Sequence, residues 1–125
     1  SLEQGSNEIV ESFSDLLRKL AKADALVGVG TDSPFAPFAT GLHAELLLYE
    51  KAGLERWKIL QAATRSSAIV AHAESDLGTI EVGKLADMIV VSGDPLSRIG
   101  DLLNLRYTIK NGRLYSLEEL MHPTN

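Results

Sequence analysis

The sequence predicts an α/β fold whose sheet is incomplete within this chain. Apolar residues recur at three- and four-residue steps from residue 7 to residue 23, and a short apolar run follows at residues 25–30 (ALVGVG). Short strands separated by glycine turns occupy the last third. An apolar run without polar alternation is typical of a strand covered on both faces, as in a parallel sheet. Such a strand needs parallel neighbours, which we expect to lie outside this chain.

The first 75 residues are predicted to form a mainly helical region around that buried strand. Two prolines in residues 31–37 (TDSPFAP) cannot continue the strand, because proline removes a ladder donor and restricts the preceding residue. A loop is therefore expected directly after it. Helices are predicted at residues 7–23, 40–52 (ended by Gly53), from about residue 54, and around residues 66–72.

Residues 76–125 are predicted to form a small β-rich tail. Asn111 and Gly112 give the strongest hairpin signal in the sequence, because both residues tolerate positive φ. In a two-residue hairpin, Ile109 would face Leu114. The predicted strands are residues 78–82, 86–91, 106–110 and 113–116.

Composition excludes several functional classes. The chain has 125 residues, is 45% hydrophobic and carries a formal net charge of -5, which favours an ordered domain and disfavours nucleic acid as a partner. The absence of cysteine excludes disulfides, thiolate zinc sites and cysteine nucleophiles. No apolar run is long enough to suggest a membrane span, and no signal peptide is recognisable, so we expect a cytoplasmic protein without a membrane partner.

Asp32 is the leading candidate for chemistry. It directly follows the buried run, where α/β folds place catalytic and metal-binding side chains at strand C-terminal ends. A carboxylate there can bind a divalent metal and accept a proton from water. The alternative is structural, because aspartates after strands commonly form Asx-turns or cap the next segment.

His43 is a weaker candidate. It lies on the helix after the loop, and Glu45 follows two residues later, which is too close for the two side chains to share a helix face. A zinc centre needs three or four ligands, so one histidine does not make a site. The sequence also contains no dinucleotide-binding, Walker-type or nucleophile-elbow motif.

The order of motifs resembles the C-terminal part of the amidohydrolase superfamily, especially its imidazolonepropionase-like and Xaa-Pro-dipeptidase-like members. Each matching block is moderately specific, but five in this order and spacing form a strong resemblance. The blocks are VGVGTDSP (27–34), LHAELLLYEKAGL (42–54), ILQAATRSSA (59–68), LGTIEVGKLADMIVVSGDPL (77–96) and IKNGRLY (109–115).

The resemblance implies that this chain is the last helix–strand–helix unit of a metal-dependent (β/α)8 barrel plus part of a small flanking β-sandwich. Residues 25–30 would be strand eight, and Asp32 would be the metal-site carboxylate and general base. Ser33, Pro34 and Phe35 would border a small-molecule substrate, while His43 would support the site without binding metal. The parent protein would use zinc or another divalent metal to hydrolyse amide or other C–N bonds.

The sequence departs from the family pattern by omission. The metal ligands expected after strands one, four, five and six have no counterpart here, and a barrel of this type takes about 250 residues. We therefore expect a fragment that is inactive alone and binds no metal stably. Unpaired edges should drive it into a homo-oligomer or domain-swapped dimer. The alternative is a non-catalytic α/β interaction module that associates through exposed apolar surfaces.

Overall fold

The computed structural model describes residues 2–32 and 38–122, which form a helical region followed by a three-stranded sheet. Helix α1 spans Leu2–Lys22 and α2 spans Phe38–Lys51. Helix α3, Arg56–Gln61, continues through a π-helical turn, Ala62–Ser66, into α4, Ser67–Val70. The predicted helices are thus confirmed, and the two segments predicted after Gly53 merge into one helical stretch, residues 56–70.

Three helical stretches end in the same hydrogen-bonded motif. After α2, the Gly53 amide donates to the Glu50 carbonyl at 2.9 Å and the Leu54 amide to the Tyr49 carbonyl at 3.1 Å, with Gly53 at φ +90. This is the Schellman arrangement, which requires a left-handed residue. Asp24 and His72 occupy the same position after α1 and after residues 56–70, at φ 53 and 54.

The core lies where α1, α2 and residues 56–70 meet a 3-10 helix from the tail, Ile99–Leu103. Ile59 is completely buried and Ile99 nearly so. The buried cluster comprises Leu17, Leu46, Tyr49, Ala52, Leu54, Ile59, Ala62 and Ile99. One tail element therefore contributes directly to the helical core.

Only part of the apolar face of α1 enters that core. Leu17 is 4% exposed, whereas its neighbour Leu16 is 52% exposed and Phe13 is 49% exposed. Ile9, Val10 and Leu20 are exposed as well. The amphipathic pattern predicted the helix correctly, but most of its apolar face has no partner among the described residues.

Residues 25–30, which we call the 25–30 segment, form no β-ladder within the described ranges. A ladder requires a neighbouring strand, and the sheet of the tail lies elsewhere in the fold. The assignment of the 25–30 segment as strand eight of a barrel therefore stays a prediction. No helix in the described part of the chain is long and apolar enough to cross a membrane.

The tail, residues 76–122, forms an antiparallel sheet in the order β1-β2-β3, with β1 at Met88–Val91, β2 at Leu105–Lys110 and β3 at Arg113–Ser116. Ile109 pairs with Leu114, which confirms the predicted hairpin register. A short helix α5, Leu117–Met121, follows with a capping box at Ser116. The strand predicted at residues 78–82 is wrong, because Gly78 adopts φ +91 and the chain turns there.

Candidate functional site

Asp32 lies two residues beyond the 25–30 segment and is exposed to solvent. Its φ of +50 places it in the left-handed region, which aspartate tolerates better than most residues. The backbone therefore adopts an uncommon conformation at the candidate catalytic position. Ser33, Pro34 and Phe35, the predicted substrate-bordering residues, lie outside the described residues.

Side chains from α2 bind one side of the 25–30 segment. The Gly30 amide donates to both carboxylate oxygens of Glu45, at 3.2 Å each. The Tyr49 hydroxyl lies 3.0 Å from the Gly28 carbonyl oxygen and 2.9 Å from Oε1 of Glu45. Glu45 and Tyr49 are four residues apart, so they lie on one face of α2. They bind backbone groups of a segment that forms no ladder within the described residues.

Tyr49 is nearly fully buried and remains a hydrogen-bond donor at neutral pH. Burial raises the pKa of its hydroxyl well above the usual range, and the hydrogen bond and negative charge of Glu45 raise that pKa further. Its single proton is shared between the Gly28 carbonyl and the Glu45 carboxylate. Tyr49 therefore links the side chain of Glu45 to the backbone of the segment.

Ser67 binds the opposite side of the segment. Its Oγ accepts from the Val29 amide at 3.0 Å and donates to the Ala62 carbonyl at 2.6 Å. Ala62 begins the π-helical turn, a local widening that is often found at functional sites. Gly28 packs tightly here, because an added Cβ would lie 3.3 Å from Oγ of Ser67.

His43 lies elsewhere on α2. It is half-buried and lines a small crevice formed with Leu46, Ile99 and Leu102. The structure thus brings Glu45, rather than His43, to the end of the 25–30 segment, and the supporting role of His43 stays a prediction. Sequence reasoning missed the roles of Glu45, Tyr49 and Ser67; the four-residue spacing of Glu45 and Tyr49 is the signal that could have placed two of them on one helix face.

The residues present do not by themselves fit a metal ion. Within residues 2–32 and 38–122, no three His, Cys, Asp or Glu side chains are placed to hold one. Asp32 offers a single carboxylate, whereas catalytic zinc sites take three protein ligands.

A pocket of about 70 Å³ lies at the other end of the 25–30 segment. Asp24, Trp57 and Lys58 line it, and the ammonium of Lys58 donates to the Ala21 carbonyl at 3.1 Å. The pocket lies at the end of the segment opposite to Asp32. Asp32 and its surroundings remain the candidate site.

Comparison with known proteins identifies relatives of this chain. The profile of the amidohydrolase family matches residues 4–115. A Xaa-Pro dipeptidase with methionine bound in its active site is 36% identical, with a TM-score of 0.74 over 82% of this chain and 25% of that chain. No curated protein matches significantly.

Two further solved structures are similar. A Bifidobacterium longum protein assigned provisionally as a prolidase is 31% identical, with a TM-score of 0.70 over 79% of this chain and 25% of that one. Molinate hydrolase is 27% identical, with a TM-score of 0.62 over 67% of this chain and 18% of its own. This chain thus spans about a quarter or less of the structures that it matches.

Proposed function

Because the chain belongs to the amidohydrolase family, we propose that it supplies the C-terminal part of a metal-dependent hydrolase of amide or other C–N bonds in small molecules. The family match over residues 4–115 supports this, as do similarities to a dipeptidase and to molinate hydrolase. We place the 25–30 segment as strand eight of a (β/α)8 barrel, preceded by α1. Residues 1–75 would belong to the barrel and residues 76–125 to a flanking β-sandwich.

Asp32 is proposed as the general base, the carboxylate that accepts the proton of the attacking water. The observation that supports this role is the place of Asp32 at the end of the 25–30 segment, where it is exposed to solvent and has a left-handed backbone conformation. Zinc or another divalent metal in the complete protein would need its other ligands from outside this chain. The isolated chain is therefore expected to bind no metal stably and to be inactive.

Xaa-Pro dipeptides are the first substrates to test, because a Xaa-Pro dipeptidase is 36% identical to this chain. Ser33, Pro34 and Phe35 are proposed to border the substrate, since they follow Asp32 directly. A cytoplasmic location and the absence of a nucleic-acid partner stay predictions.

A chimera tests the proposal. This chain would replace the matching quarter of the Xaa-Pro dipeptidase, and hydrolysis of Xaa-Pro dipeptides would be measured with and without added zinc. We expect metal-dependent hydrolysis that falls about 10²–10⁴-fold in Asp32→Asn, because the general base is lost.

Asp24→Asn is the matched control. Asp24 is also exposed and has φ 53, but it precedes the 25–30 segment instead of following it. The control should retain the activity of the chimera. A folded Asp32→Asn chimera with full activity, or an equal loss in both variants, would refute the assignment.

Self-association is the second candidate function, and the exposed apolar face of α1 favours it. Ile9, Phe13 and Leu16 are exposed on that face without a partner in the described ranges, as expected of an interaction module. We propose a homo-oligomer or domain-swapped dimer of the isolated chain. Light scattering after size-exclusion chromatography should show a dimer or larger species that Phe13→Ser weakens. A monomer at all concentrations would exclude it.

A further inference from the structure

The structure assigns a positioning role to Glu45: its carboxylate, oriented by Tyr49, fixes the Gly30 amide and so sets the direction in which the chain presents Asp32. This inference rests on the proposed function of Asp32. It concerns a residue that was considered in the sequence only as a neighbour of His43.

The geometry of the contact is the first support. The two carboxylate oxygens of Glu45 each lie 3.2 Å from the Gly30 nitrogen and share its amide hydrogen, so a single side chain orients this N–H group. Hydrogen bonds to a carboxylate are stronger than neutral ones. Gly30 itself is exposed, and an added Cβ there would meet nothing within 4 Å, so side-chain packing does not hold this position.

Tyr49 supplies the second support, because it holds Glu45 in one orientation. Its ring lies in the core, and its hydroxyl reaches both Oε1 of Glu45 and the Gly28 carbonyl. The buried ring, the carboxylate and the backbone groups of residues 28 and 30 therefore form one connected unit. Ser67 holds residue 29 from the opposite side, so three successive residues of the segment are fixed.

The third support is the distance along the chain. Only Thr31 separates Gly30 from Asp32, and Asp32 has the left-handed φ of +50. Because the backbone is held two residues before Asp32, its position there limits where the Asp32 side chain can lie. Loss of the anchor should therefore misplace the Asp32 carboxylate rather than change its chemistry.

Glu45→Ala, Glu45→Gln and Tyr49→Phe test the assignment, with Glu50→Gln as the control. Glu50 lies on the same helix but pairs with Arg56. In the dipeptidase chimera, Glu45→Ala should lower kcat by up to about 100-fold with little change in KM, because a misplacement of about 1 Å has that cost. Glu45→Gln should recover most of the loss, since its amide oxygen still accepts from Gly30. Tyr49→Phe should lower kcat less than Glu45→Ala, and Glu50→Gln should leave it unchanged.

A second measurement needs no catalysis. In amide NMR spectra of the full chain, the Gly30 resonance should shift and exchange faster in Glu45→Ala, but stay near its original position in Glu45→Gln and Glu50→Gln. An unchanged Gly30 amide in Glu45→Ala would overturn the inference, as would a folded Glu45→Ala chimera with unchanged kcat. An inactive unmodified chimera would contradict the proposed function. The Gly30 amide resonance would still show whether Glu45 binds the Gly30 amide.

Discussion

The helical region, residues 2–72, and the tail, residues 76–122, satisfy their backbones in different ways. The tail pairs its strands with one another, and β2 has a neighbour on each side. In the helical region, the 25–30 segment receives side-chain partners, and α1 leaves most of its apolar face exposed. The comparison teaches that the strands of the tail find their ladder partners within the tail, whereas the 25–30 segment is held by side chains from neighbouring helices.

The largest expected change in the free energy of unfolding comes from a substitution at Gly78, where the tail contacts the helical region. Gly78 has φ +91, and a Cβ there would lie 2.6 Å from Cβ of Ala68 and 3.1 Å from Cα of Arg65. Gly78→Ala should lower the free energy of unfolding by about 2–5 kcal/mol. An alanine is strained at this left-handed φ, and its Cβ would also overpack against Ala68 and Arg65. Urea unfolding followed by the fluorescence of Trp57, the single tryptophan, measures this change.

Gly83→Ala is the control for that substitution. Gly83 has φ +94, but an added Cβ there would meet no atom within 4 Å, so only the backbone strain of about 1–2 kcal/mol is expected. Equal losses in the two variants would show that the close approach of Gly78 to Ala68 and Arg65 adds no overpacking cost beyond the backbone strain.

A smaller effect is expected inside the helical region, from two adjacent leucines of α1. Leu17 is 4% exposed and belongs to the core, so Leu17→Ala should cost about 2–4 kcal/mol in unfolding free energy. Leu16 is 52% exposed, and Leu16→Ala should stay within about 0.5 kcal/mol. Both values come from thermal or urea unfolding at low protein concentration. Similar costs at both positions would mean that the exposed face of α1 is already covered, for instance by a second copy.

The smallest expected effect is the acid sensitivity of the tail. Hydrogen bonds from the Asn111 amide and Lys110 lower the pKa of Asp87, and those from the Asp94 amide and Arg98 lower the pKa of Asp101. A carboxyl group with a lower pKa in the folded state stabilises the fold above its ordinary pKa, and this stabilisation disappears as pH falls through the lowered value. The urea midpoint should therefore be lower at about pH 3 than at about pH 6.

Asp87→Asn tests how much of this pH dependence comes from Asp87. The variant should be less stable than the original chain near neutral pH, because it loses the ion pair with Lys110, and its urea midpoint should depend less on pH. An identical pH dependence in both chains would mean that Asp87 does not contribute to the acid sensitivity.

Local features of the fold could be predicted from the sequence, and long-range ones could not. The Asn111–Gly112 hairpin and the helix end at Gly53 were correct, because the residues that determine them are adjacent in the chain. Asp24 and His72 end helices in the same way but carry no glycine signal. The false strand at residues 78–82 followed from an apolar pattern that does not report the φ of Gly78.

The candidate site shows the same limit. Asp32 was recognised because it follows an apolar run, a signal contained in a few neighbouring residues. The contacts of Glu45, Tyr49 and Ser67 depend on how two helices pack beside the 25–30 segment, which no local pattern specifies. The catalytic role of Asp32 stays a prediction.

The side-chain partners of the 25–30 segment follow it in the chain, so during synthesis they become available one after another. Gly30 precedes Glu45 by 15 residues, Gly28 precedes Tyr49 by 21, and Val29 precedes Ser67 by 38. At about 5–20 residues per second, the ribosome needs roughly 2–8 seconds to add 38 residues. Glu45 and Tyr49 are made within that interval, so the side-chain contacts of the segment become available stepwise, and the contact with Ser67 becomes available last.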